Sequence, residues 1–545
     1  MSPVCVESYN TLASSAKLIP GMHCSCVRHT DLPHTSALFA DVLYHPDRSA
    51  RFYRYPFRDL ADYQSAAAEI HFPDDRRAAL VAALSVQNPP GGGLERLARP
   101  GTVAVVTGQQ VGLFSGPAYT IYKVLHATRL ARWLTENGIP AVPAFWLATE
   151  DHDFAEVSHA WVCGADNQPA KVEMRRSASA QPVGGVVLAD PPVRELRAAM
   201  RTLPFCDEVA DLVEETYRAG STMGKAFGEL LRRLLAEYDV LQVDPMLPAF
   251  RELAAPAIRK AVEAAPALTA GVLERNQELA AAGYHAQVHV EEQTSFVFLL
   301  ENGKRLTLRR NGREYVLNGR RLSTEELMDR AASLSPNALL RPVVQDSMLP
   351  TVATIGGPAE LAYLAQSEVL YRTVLGRMPV ALPRTGFTIL DSHSEKLMER
   401  YGLALQSFFH GEEAIRERIA AKLVPPSVST AMRETAATVD RAVERLGREL
   451  VAFDPTLALA LERSGKKIRY QLGKIERKTG REALRRDARA ARDAYSLYGL
   501  LFPEHNLQER VYSILPFLAK HGLDLIGHIY EAIQLDCPDH RVMVV

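Results

Sequence analysis

The chain has 545 residues, of which 47% are apolar and 23% charged, with a formal net charge of -1. That length suggests roughly three domains and an ample core, and near-neutrality excludes the global basic charge of a nucleic-acid binder or a membrane-surface protein. No apolar run approaches the roughly 20 residues a membrane helix needs, and no basic-then-apolar signal pattern opens the sequence, so a cytoplasmic protein acting on small molecules is expected. Six cysteines, Cys5, Cys24, Cys26, Cys163, Cys206 and Cys537, are scattered as reduced thiols would be rather than as a disulfide framework.

Residues 1–31 show no sustained period and read as an N-terminal extension. His23-Cys24-Ser25-Cys26 with His29 is a weak metal signal, because the C-x-C spacing is close and a second pair is missing. The aromatic-basic patch Arg51–Phe57 reads as ordinary packed surface, and Asn88–Gly93 as a turn cluster. The stretch Val103–His159 organises the rest. Val103–Val106 is a short β-branched run that predicts a buried strand, and a loop rich in glycine and glutamine follows. Gly116-Pro117-Ala118 then opens a helix that Gly138 ends. A second apolar run, Ala141–Ala148, delivers Glu150, Asp151, His152 and Asp153 directly off its end. This is a β-loop-α-β unit with polar groups at the carboxyl ends of its strands, where open parallel sheets bind ligands.

Beyond it, Pro182–Asp190 and Val240–Val243 are candidate strands, and most of Arg194–Arg275 reads helical. Gln287–Leu300, Arg305–Leu308 and Tyr315–Leu317 predict a β-meander, with Asn-Gly at 302–303 and 311–312 as hairpin turns. Residues 162–335 therefore read as an insertion between two halves of a sheet domain, 32–161 and 336–390. The second half repeats the first: the run Thr351–Ile355 leads into Gly356-Gly357-Pro358-Ala359, and both halves contain G-P-A-x-x-x-Y. Two such helix starts are expected to offer N–H groups to an anion. Met378–Leu382 supplies a further strand, ending at Arg384.

From 391 to 500 the sequence turns to long charged helices. Val439, Val443, Leu446, Leu450, Phe453 and Leu457 are spaced 4-3-4-3-4, the a/d pattern of a coiled coil, and Asp454-Pro455 predicts a new helix start. A helical hairpin that serves as a homodimerisation arm is expected. Residues 501–545 read as amphipathic helices that pack back on the core.

The stretches Thr107–Lys123, Phe145–Val157, Arg341–Gln366 and Leu507–Leu518, with Leu32-Pro-His-Thr-Ser36, resemble the bacillithiol biosynthesis cysteine-adding enzyme family from about residue 32 onward. The resemblance implies a Rossmann-like core related to class I aminoacyl-tRNA synthetases, with a connective-peptide insertion and a coiled-coil arm. It implies a cytoplasmic ligase that joins L-cysteine to glucosaminyl-malate. By the same analogy ATP or ADP would be the cofactor, although neither His-x-Gly-His nor Lys-Met-Ser-Lys-Ser is present; no metal is expected. For this chemistry Glu150, Asp151, His152 and Asp153 are the candidate catalytic and amine-gripping residues. The candidate substrate-binding set is Gln109, Gln110, Gly112, Gly116, Tyr122, Lys123, Asp346, Gly356, Gly357, Glu360 and Arg384. Two rival readings are a metal-dependent amidase using Asp151, His152, Asp153 and His159, and a non-catalytic coiled-coil scaffold.

Overall fold

A computed structural model describes residues 22–174 and 181–545; Cys5 and most of the expected N-terminal extension lie outside the described residues. The chain forms two compact units. One comprises residues up to 165, 169–389 and 508–545, and the other residues 166–168 and 390–507.

The first unit is built on a five-stranded sheet: β1 (Val103–Gln110), β2 (Ala141–Ala148), β3 (Leu241–Val243), β4 (Thr351–Gly356) and β5 (Val380–Pro383), in the order β5-β4-β1-β2-β3. Every neighbour pair is parallel. The order reverses between β1 and β4, the switch point at which such sheets open a crevice beyond their carboxyl ends. Side chains alternate along β1. Val103 and Val105 join a core with Leu130, Leu134, Val352 and Ile355, while Ala104 and Val106 join one with Val142, Ala144, Phe250 and Ile258. Both faces being covered, the run is continuously apolar instead of alternating, which is why it was legible as a buried strand.

Helix α1 (Tyr119–Glu136) follows β1 and buries Ile121, Leu125, Leu130 and Leu134. Asn137 caps it and Gly138 takes φ 85°, the left-handed turn expected of that glycine. Between them the loop is bent sharply. Phe114, Ser115 and Gly116 all have positive φ, and a Cβ on Gly112 would stand 2.8 Å from the Gly116 Cα. The two glycines are thus spent on letting the backbone fold against itself. Helix α2 (Pro358–Leu370) follows β4 in the same way.

Between β3 and β4 lie helices Pro248–Glu263 and Ala265–Ala281 and an antiparallel sheet of Thr294–Glu301, Lys304–Asn311, Glu314–Leu317, Arg320–Ser323 and Leu334–Pro336. Asn302-Gly303 turns with φ 53° and 72° as expected, and Asn318-Gly319 makes a further such turn. Pro182–Asp190 is not a strand: Val183–Gly185 forms a 3-10 turn and Val187 makes only an isolated bridge to Thr222. Gly184 passes so close to Thr149 that a Cβ on it would lie 2.4 Å from the Thr149 side chain.

The stretch at 22–31, read as lying outside the core, supplies an edge strand. His23–Val27 pairs antiparallel with His540–Val544 in a three-stranded sheet completed by Phe387–Leu390.

The second unit is helical. Helix α3 (Pro426–Phe453) ends at Asp454, whose carboxylate accepts from the Thr456 N–H at 2.8 Å and caps α4 (Pro455–Arg486), the break expected there. The two helices approach closely where a Cβ on Gly465 would stand 3.2 Å from Val443, and one on Gly447 3.5 Å from Leu461. No residue of α3 is buried, and Leu446 and Phe453 are 49% and 83% exposed. The hairpin alone therefore covers only part of the a/d seam. Among the described residues no helix is long and apolar enough to cross a membrane.

Candidate active site

A cavity of about 640 Å³ opens beyond the carboxyl ends of the parallel strands. Its floor is Gly108, Gln109 and Gln110 from β1, Trp146 from β2, and Glu150 and Asp151 just past it. Gly357 and Glu360 from the α2 start and Arg384 after β5 form one side, and Phe298 and Arg305 of the antiparallel sheet form another. Arg341, Tyr363 and Arg510 complete it.

Glu150 is buried and its Oε2 accepts from Arg251 at 3.1 Å, a guanidinium that also donates to the Ala332 and Leu334 carbonyls. Its other oxygen, Oε1, is buried and meets no donor among the described residues. A desolvated carboxylate oxygen without a partner is costly, and Glu150 belongs to the lining of the cavity. Asp151 accepts from Gln110 Nε2 and from the His152 N–H, both at 2.7 Å, and lies 3.6 Å from Arg305. Burial alone would raise its pKa, but these bonds and the Arg305 charge outweigh it and hold the carboxyl below its ordinary value. A depressed carboxylate is a poor proton acceptor near neutrality and a good fixed negative charge.

His152 does not line the cavity. Its Nδ1 lies 3.1 Å from Arg305 Nη1, and since arginine can only donate, that nitrogen accepts. The ring proton then sits on Nε2, so in this arrangement neither nitrogen offers a vacant lone pair for a base, contrary to the role expected of it. Asp153 is exposed and caps the helix Phe154–Val157 by accepting from the Glu156 N–H at 3.2 Å. Its task is structural.

The substrate-binding set divides in the same way. Gln109, Gln110, Lys123, Gly357, Glu360 and Arg384 line the cavity. Lys123 is no free cation: its ammonium donates to Gly108 O at 3.0 Å and Gln109 Oε1 at 2.9 Å and pairs with Glu360. With three donors and three acceptors it straps β1 to α2. Gly112 and Gly116 shape the loop behind. Tyr122 is fully buried against Phe387, ring centroids 5.0 Å apart, and Asp346 is buried on Tyr371 and Gln345, its pKa raised by burial. Gly356 packs under Glu360.

Nor are the two helix starts the anion sites the repeated motif suggests. At the first, the Ala118 N–H is spent on the Tyr512 carbonyl at 2.7 Å. At the second, the Gly357 N–H donates to Glu360 Oε2 at 2.7 Å, so a carboxylate of the chain itself already meets the positive end of α2.

Positive charge comes from side chains instead. Arg384 makes a buried two-pronged pair with Glu509, at 2.9 and 2.5 Å, and its guanidinium lies 4.9 Å from the centre of the Tyr119 ring. Glu509 also accepts from the Phe387 N–H, and despite burial the Arg384 charge holds its pKa below the ordinary glutamate value. Arg341 is fixed by Gln345 and Tyr363 at 3.0 and 2.9 Å. Arg305 stacks over Phe298 at 3.9 Å and donates to the Ser335 hydroxyl and the Pro336 carbonyl. Sequence reasoning passed over Arg305, Arg341, Arg510 and Glu509. Arg341 and Arg510 stand inside motifs that were themselves conspicuous, whereas nothing in the meander singles out Arg305.

The family model for the bacillithiol biosynthesis BshC N-terminal Rossmann-like domain matches residues 22–385, and that for the BshC C-terminal coiled-coil domain matches 387–545. The chain belongs to the BshC family. A relative from Solibacter usitatus (strain Ellin6076) is 71% identical over 96% of this chain and 100% of its own length. Others from Koribacter versatilis (strain Ellin345) and Chlorobaculum tepidum are 37% and 31% identical, over 95% and 88% of this chain and 99% and 90% of their own. All three carry the name "Putative cysteine ligase BshC". The BshC match begins at residue 22, earlier than the motifs alone suggested, and so takes in the edge strand at His23. The metal-amidase alternative gains nothing from the geometry, because among the described residues no three His, Cys, Asp or Glu side chains converge as a metal-holding group. His159 stands in a strand opposite Glu173. A bare scaffold would have no use for a complete Rossmann-like sheet with a charged cavity at its switch point.

Proposed function

We propose that this protein joins L-cysteine to the amine of glucosaminyl-malate, the last step of bacillithiol assembly, in the cytoplasm. The observation that carries the reading is the Glu150 carboxylate, one oxygen of which meets no donor among the described residues, in the lining of a cavity whose other walls hold Arg341, Arg384 and Arg510. An amine that must be stripped of a proton before it attacks suits the Glu150 oxygen, and the Asp151 charge holds an ammonium beside it. The malate carboxylates suit the arginines, which present planar forks to carboxylate oxygens. A cavity of about 640 Å³ falls within the common range for small-molecule sites, ~300–1,000 Å³. Deleting the gene in its host and analysing the thiol pool tests the reading. Bacillithiol should vanish and glucosaminyl-malate accumulate, both reversed by the intact gene; an unchanged bacillithiol level would overturn it.

The incompletely covered seam of α3 supports a homodimer through the arm. Leu446→Glu with Leu450→Glu should place charge in that seam and shift the protein to monomer by light scattering. A double variant that stays a dimer would refute this assembly.

A further inference from the structure

The two ends of the described chain bring together a pair of cysteines that do not belong to the lining of the cavity. Cys26 is exposed on the edge strand His23–Val27, whose register sets Cys26 opposite Arg541 and Cys24 opposite Met543. Cys537 lies just before the partner strand, half-buried, and its Sγ is 3.8 Å from the Cys26 Sγ. Sulfurs at that distance, one of them exposed and both on short flexible side chains, need only a modest rotation to reach bonding distance of about 2.05 Å. The surroundings favour attack. The Cys26 thiol donating to it, together with the Arg541 charge, brings Cys537 down to about 7 against the opposing effect of burial, which puts much of it in the nucleophilic thiolate form near neutrality. Burial instead raises the neighbouring Cys24. Cys163 and Cys206 are buried elsewhere.

The geometry points to a reversible dithiol–disulfide site at Cys26 and Cys537 that exchanges with low-molecular-weight disulfides. The Cys537 thiolate attacks one sulfur of a disulfide RS–SR, forming Cys537–S–S–R and expelling RS⁻. Cys26, giving up its proton, then attacks the Cys537 sulfur and expels the second RS⁻. One S–S bond is broken and one formed in each step; the two protein sulfurs lose two electrons, and RSSR ends as two RSH carrying the two protons. Because the pair sits at an accessible edge, it belongs with the labile disulfides rather than the structural ones. Closing it would tie the first strand of the fold to its last segment.

The test equilibrates the full-length protein at pH 7 in mixtures of glutathione and glutathione disulfide, quenches with acid, alkylates, and maps tryptic peptides without reduction. A cross-link between the peptides Leu18–Arg28 and His521–Arg541 is expected in wild type and in Cys24→Ser, increasing with the disulfide fraction, and absent from Cys26→Ser and Cys537→Ser. In a second measurement, iodoacetamide should alkylate Cys537 at pH 7 at least fivefold more slowly in Cys26→Ala, because alanine, unlike serine, has no hydrogen to donate to the thiolate. No cross-link at any ratio, a cross-link that survives Cys26→Ser, or an unchanged alkylation rate would each overturn the assignment.

Discussion

Glu150→Gln is expected to lower bacillithiol formation at least a hundredfold, measured by complementation of a deletion strain and by the rate of the purified enzyme. Glutamine keeps the shape of the side chain and an acceptor for Arg251, but its amide neither takes a proton nor attracts an ammonium. A positioned proton acceptor is worth about 10²–10⁴-fold. Folding should suffer less, by roughly 1–3 kcal/mol, because Arg251 still has the Ala332 and Leu334 carbonyls. Asp151→Asn, which removes only the supporting charge, should cost about tenfold with little change in melting temperature, its loop carrying little of the core. Wild-type complementation by Glu150→Gln would remove Glu150 from the chemistry. The inverse ranking, with Asp151→Asn the more damaging, would make the fixed charge the principal agent.

Arg384→Met should be the most destabilising single change near the cavity, costing about 3–5 kcal/mol, because it leaves the buried Glu509 carboxylate without its counter-charge. Chemical denaturation gives the measurement. Adding Glu509→Gln, which removes the charge but keeps an acceptor for the Phe387 N–H, should recover most of that loss but none of the activity, since the cavity would still lack the Arg384 cation; failure of the second change to restore stability would show that the two residues are not coupled. The pH dependence has a definite sign. The folded Glu509 pKa is depressed, so the pair's contribution is complete above the ordinary glutamate value of about 4.3 and is lost as pH falls through the lower folded value. Wild type should therefore lose stability in that acid range more steeply than the double variant.

What the sequence disclosed follows from how local each feature is. β1 and β2 were legible because a strand buried on both faces must be an unbroken apolar run, and the turn at Asn302-Gly303 because few other residues accept positive φ there. The break at Asp454-Pro455 was legible as a cap followed by a residue that cannot continue a helix. The strand His23–Val27 was not: mostly exposed, it has no alternation to detect, and its partner lies more than 500 residues away. The roles within the site divide on the same line. Glu150 and Asp151 could be placed because they leave the end of a visible strand. Whether Asp153 caps a helix or faces a ligand, whether His152 has a vacant nitrogen, and whether Lys123 is already committed to Glu360 depend on neighbours brought from elsewhere. The helix starts misled for a related reason, since the acceptors that satisfy them come from Glu360 and from Tyr512.

The pairing of Arg384 with Glu509 bears on how the protein is made. Residues 390–507 form a separate unit between the two partners, so β5 is translated more than a hundred residues before the carboxylate that locks the arginine just after it. All five parallel strands precede the arm in the chain, whereas the partner of Arg384 follows it. Until the last segment arrives, an unpaired arginine and the uncovered edge of Phe387–Leu390 stay exposed to misassociation. The catalytic unit is complete only when its final 38 residues, 508–545, have been added. A nascent chain stalled before residue 508 would thus lack both the carboxylate that pairs with Arg384 and the strand His540–Val544 that lies beside Phe387–Leu390.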